Sequence, residues 1–180
     1  MNKQELGASL PSDTLKHKRS LTAFRKPGSE VAALAIAQIF CFLALTRLEP
    51  HFFIIHLYQL IPSIAILILL GYGQAHWAYT VGPLVSIVWL GLAYMADLLG
   101  SAAERLRTFG SNNLDDNFVA LLALLTGVVA VLMTVLCCIH WVKEYSGHER
   151  GWRPFLVSLG IVLAYYGILL HWFWDMIPDS

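Results

Sequence analysis

Between Glu49 and Asp97 the chain runs for 47 residues without a single Asp, Glu, Lys or Arg. One bilayer-crossing helix needs roughly 20 predominantly apolar residues, so the stretch is about two spans long. The turn-forming cluster Gly71-Tyr72-Gly73-Gln74 divides it. The run therefore predicts two membrane helices joined by a tight hairpin.

Composition agrees with that reading across the chain. Charged residues make up 13% and hydrophobic ones 57%, whereas soluble domains carry about 25% charged residues. At 180 residues there is room for one compact unit. The formal net charge of zero says little, because the charges sit in the termini and loops, and there is no basic stripe of the kind nucleic-acid binding would need. The first apolar run starts after some thirty mostly polar residues and has no A-x-A-like exit, so it reads as a retained anchor rather than a cleaved signal.

The predicted class is an all-α integral membrane protein, a compact bundle of five transmembrane helices with a short interfacial helix; four spans is the alternative. Residues 1–29 form a basic arm with Lys3, Lys16, Lys18, Arg19, Arg25 and Lys26, ending at Pro27-Gly28-Ser29 with Ser29 placed as a helix cap. The bundle covers 30–174, with spans at about 30–47, 51–70, 77–96, 117–142 and 154–174, and 175–180 is a short tail. Pro62 interrupts the second span because it cannot donate to the carbonyl one turn earlier. Between the third and fourth spans, Leu99, Ala102, Leu106 and Phe109 recur at helical spacing opposite Glu104, Arg105 and Arg107, and Gly110 supplies a stop. That pattern predicts a helix lying in the membrane surface.

Lys and Arg near the span ends set the orientation. Six lie in the arm and three in the 143–153 loop (Lys143, Arg150, Arg153), against Arg47, Arg105 and Arg107 opposite. Five spans put the arm and that loop together on the cytoplasmic side of a plasma or inner membrane and the C-terminus outside. Trp172 and Trp174 supply an interfacial belt there.

Helices in lipid associate through close packing of small residues. The fourth span carries Ala120, Ala123, Gly127, Ala130, Thr134 and Cys137 along one narrow face. The first has Ala33, Ala37, Cys41 and Ala44, the third Gly82 and Ser86, and the fifth Gly160, Ala164 and Gly167. These stripes predict a tight bundle, a subunit interface, or both.

Polar side chains at depth are the places to look for chemistry. His56, Gln59 and Ser63 share one face of the second span, and His171 sits at similar depth in the fifth. Two such histidines suit haem or a metal, or serve as hydrogen-bonded structural groups. Gln38 in the first span is a bonding amide or, in the alternative, a contact for quinone or pigment. Asp97 is a candidate ion-pair partner of Arg105 or Arg107, with a cation gate as the lesser reading. His76-Trp77 and His140-Trp141 read as interfacial anchors, and Cys41, Cys137 and Cys138 as packing residues, with palmitoylation or redox chemistry as the lesser reading.

The chain has no H-E-x-x-H, G-x-S-x-G, P-loop or dinucleotide fingerprint. No acidic residue lies in the middle of a span, which counts against an autonomous pump. The leading expectation is therefore a non-enzymatic multi-pass subunit that packs against other membrane-protein subunits or its own copies, with membrane lipid as its other partner. A redox protein binding haem, metal or quinone through His56 and His171, and a small oligomeric channel or transporter lined by His56, Gln59 and Ser63, are the alternatives.

Overall fold

Apolar runs of about twenty residues, punctuated by Pro, Gly and charged residues, fold here as helices. The structure, a computed structural model, describes residues 28–108, 114–145 and 152–173. Its helices are α1 (Ser29–Leu48), α2 (Phe53–Gly71), α3 (Ala75–Met95), α4 (Leu98–Arg107), α5 (Leu114–Tyr145) and α6 (Trp152–Phe173). A 3₁₀ turn, Pro50–Phe52, leads into α2. Every helix except α4 is long and apolar enough to cross a bilayer. The arm before Gly28, residues 109–113 with Phe109 and Gly110, the 146–151 part of the charged loop, and Trp174 with the tail lie outside the described residues.

Local chemistry sets the boundaries. Ser29 is the first residue of α1 rather than its cap; Gly28 takes that place at φ 95°, and no side chain caps the helix. That φ lies in the left-handed region that favours glycine, and a Cβ on Gly28 would also crowd the end of the Leu70 side chain at 2.9 Å and the Tyr79 hydroxyl at 3.0 Å. The α2–α3 turn falls at the expected cluster. Gly73 adopts φ 72°, Gln74 N–H donates to the Leu69 carbonyl at 2.8 Å and Gly73 N–H to that of Leu70 at 3.1 Å. This is the Schellman pattern, which needs a left-handed residue just past the helix end.

Helices α1, α2, α3 and α5 close a ring in which each packs on the next, and α6 stands outside it against α3 and the edge of α2. One end of the ring is marked by Ser29, Gly71 and Glu144, the other by Leu48, Phe53 and Met95. The core near the Ser29 end joins Val31, Ile66, Tyr79, Met133 and Cys137; toward the Leu48 end it joins Phe42, Leu60, Trp89, Ala130 and Tyr166.

Small residues make these approaches possible. On α5, Ala120, Gly127, Ala130 and Cys137 are buried, with Ala123 and Thr134 half-buried. A Cβ on Gly82 of α3 would come within 2.7 Å of Cys137 Sγ. On α1, Cys41 is buried and Ala37 half-buried, while Ala33 is exposed. On α6, by contrast, Gly160, Ala164 and Gly167 all face outward.

With 32 residues, α5 is about 48 Å long at 1.5 Å per residue, which exceeds the roughly 30 Å of a bilayer core. The short α4 packs along it, burying Ala102 and placing Leu99 against Gly127. The helix expected at the membrane surface is thus docked on a neighbour, after a bend at Asp97 (φ 49°).

Candidate functional site

The polar contacts that join separate helices concentrate where α6 meets the ring. Pro62 has no N–H for the Tyr58 carbonyl, and the Tyr165 hydroxyl of α6 donates to that oxygen instead. Reciprocally, the Tyr58 hydroxyl donates to the Tyr165 carbonyl at 3.0 Å. The two rings stack with centroids 4.2 Å apart and planes 21° from parallel. Two helical turns away, Thr80 of α3 meets Ser158 of α6 at 3.2 Å. Thr80 Oγ1 also lies 2.9 Å from the Trp77 carbonyl and 3.2 Å from that of His76 within α3, and either hydroxyl can donate across the interface. The pair forms a second clasp, and α6 is fixed in rotation as well as in position.

A charged cluster lies at the Ser29 end. His140 of α5 is 3.6 Å from Glu30 of α1 through Nε2 and 3.6 Å from Glu144 through Nδ1. Its ring stacks on Tyr79 of α3 at 5.1 Å. The histidine read from sequence as an interfacial anchor therefore also ties three helices together. At the opposite end, His56 Nε2 lies 3.4 Å from Glu49. Both ring nitrogens of His56 are enclosed without a hydrogen bond.

Between α5 and α6, over α3, an apolar crevice of about 340 Å³ is lined by Tyr79, Thr80, Pro83, Cys138, Trp141, Val142 and Phe155. It exists because both helices rest on α3 with little contact between each other.

Comparison with protein families, curated proteins and solved structures finds no match.

The residues singled out from sequence are distributed as follows. On α2, Ser63 is buried and His56 and Gln59 are half-buried, so their shared face turns largely into the bundle; Gln38 on α1 is also buried. His171, proposed as the companion of His56, is exposed on α6. Asp97 forms no ion pair with Arg105 or Arg107. It is the N-cap of α4 and the arginines occupy that helix's last turn, about 12 Å or more along the axis at 1.5 Å per residue. An acid at the start and bases at the end each complement the helix dipole, without touching. Among the described residues, no three His, Cys, Asp or Glu side chains gather as metal ligands would.

Sequence reasoning missed both clasps on α6 and the crevice. Pro62 did mark the Tyr58 carbonyl as an oxygen in need of a donor, but nothing in the sequence pointed to Tyr165 as the group that supplies it.

Proposed function

We propose that this chain crosses a cell membrane five times, with its N-terminus cytoplasmic and its C-terminus outside, and acts as a non-enzymatic subunit that packs against another membrane protein. The observation that carries the proposal is the outer face of α6. Gly160, Ala164 and Gly167 are exposed there, and nothing lies within 4 Å of where a Cβ would project from either glycine. Lipid gives no reason to bare a helix backbone, whereas close helix–helix approach does. The Tyr58–Tyr165 and Thr80–Ser158 clasps support the same reading, because they hold α6 in one rotation with this small-residue face directed away from the ring.

The test is mild-detergent purification of the wild type and of Gly160→Leu/Gly167→Leu. The double variant should insert at wild-type yield and lose its co-migrating protein, whether a partner or a second copy. Retention of the same complex would contradict the proposal.

A second reading is a haem- or metal-binding redox protein. It rests on His56, whose enclosed ring nitrogens make no hydrogen bond and whose Nε2 lies 3.4 Å from Glu49. The exposed position of His171 weakens it. An absorbance spectrum with no haem bands, together with a metal content at background, would remove this alternative.

A further inference from the structure

We infer that the crevice between α5 and α6 holds one acyl chain of an anionic phospholipid from the cytoplasmic leaflet. The inference rests on the membrane reading above and adds a ligand to it. At about 340 Å³ the crevice falls in the size range of small-molecule pockets. Its walls select for an apolar chain. The Thr80 hydroxyl is already bonded within α3 and to Ser158. Tyr79 offers its ring, with its hydroxyl lying against Gly28. Pro83, Val142, Trp141 and Phe155 complete an apolar surface.

Charge identifies the headgroup. On the five-span topology the cytoplasmic side carries nine Lys and Arg against five Asp and Glu, and the other side three against seven. The crevice lies toward that basic end. Lys143 of α5 and Arg153 of α6 are exposed at that end, on other faces of their helices than the wall residues Val142 and Phe155, and Glu30 and Glu144 flank His140 there. Anionic lipids of the cytoplasmic leaflet are drawn to such basic segments next to the membrane.

The experiment reconstitutes the full chain in phosphatidylcholine vesicles containing phosphatidylglycerol with a diazirine on one acyl chain. After irradiation, adducts are mapped by mass spectrometry. Labelling of Cys138, Val142 and Phe155 should exceed that of Ile161 and Leu163, on the outward side of α6, by about tenfold. Cys138→Trp and Val142→Trp, which fill the space from different positions, should each abolish the excess, and Cys138→Ser should keep it. Uniform labelling, an excess that survives both tryptophans, or equal capture of diazirine-phosphatidylcholine would overturn the inference. A disulfide between the Cys138 residues of two chains would give the crevice to a second copy and overturn it as well. Adducts at Ile161 and Leu163 but not in the crevice would defeat this inference and leave the membrane reading standing; a chain carrying no lipid adduct anywhere would defeat both.

Discussion

Tyr165 donates its hydroxyl hydrogen to the carbonyl oxygen of Tyr58, the oxygen that Pro62 leaves without a helical donor. A proline inside an apolar helix thus creates an acceptor, and a residue 107 positions away in sequence fills it. The bond does two things at once. It satisfies α2 at its weakest point, and it anchors α6, whose span has the smallest buried share among the five long helices.

The two halves of this clasp are unequal. In Tyr165→Phe the Tyr58 carbonyl loses its donor in an apolar setting, which costs about 1–3 kcal/mol. In Tyr58→Phe the Tyr165 carbonyl still has the N–H of Leu169 one turn on, so the loss is nearer the roughly 0.6 kcal/mol typical of interhelical bonds in membrane proteins. Pro62→Ala restores an N–H at position 62 and should shrink the cost of Tyr165→Phe. Reversible unfolding of the four variants in detergent, read as a double-mutant cycle, checks this; equal costs for the two phenylalanines would contradict it.

The α3–α5 contact depends on the absence of one methyl group. Gly82→Ala would place a Cβ 2.7 Å from Cys137 Sγ, and overpacking of this kind costs about 1–3 kcal/mol. Cys137→Ala in the same chain removes the opposing atom and should recover most of the loss. Thermal unfolding of the single and double variants tests the pair, with an unrescued double variant as the contrary result.

Gly127 separates folding from assembly. It belongs to the small-residue stripe of α5, yet its neighbour is Leu99 of α4 in the same chain. Gly127→Leu should lift α4 from α5, raising hydrogen exchange across residues 98–107 while insertion is kept. Gly127→Ala meets only the end of a flexible leucine at 3.2 Å and should be nearly silent. A protected α4 in the leucine variant would show that the stripe does not serve this contact.

Much of the fold was legible because apolar length and turn chemistry are local properties. The uncharged run from Pro50 to Ala96, its division at Gly71–Gln74 and the boundaries of α2 and α3 all follow from residues adjacent in sequence. Ser29 was misread because the chain enters α1 through a left-handed residue, Gly28, which takes the cap position and leaves Ser29 inside the helix. The small-residue stripes were visible, but not which neighbour each would meet: the one on α5 is absorbed by α1, α3 and α4, and the one on α6 is left outward. Asp97 and the two arginines looked like partners because their charges are opposite and their positions close, whereas helical rise carries them to opposite ends of α4. The Tyr58–Tyr165 and Thr80–Ser158 contacts join residues more than 75 positions apart, and no local pattern encodes such a pairing.

The central claim is the odd number of membrane crossings, and it is tested most directly by introducing single cysteines before α1 and after α6 in a chain whose native cysteines are replaced by alanine. Intact cells are then treated with a membrane-impermeant maleimide. Five spans predict labelling of the C-terminal site only, with the N-terminal site reacting after the cells are permeabilised. Equal reaction, or equal protection, of the two sites in intact cells would contradict the account.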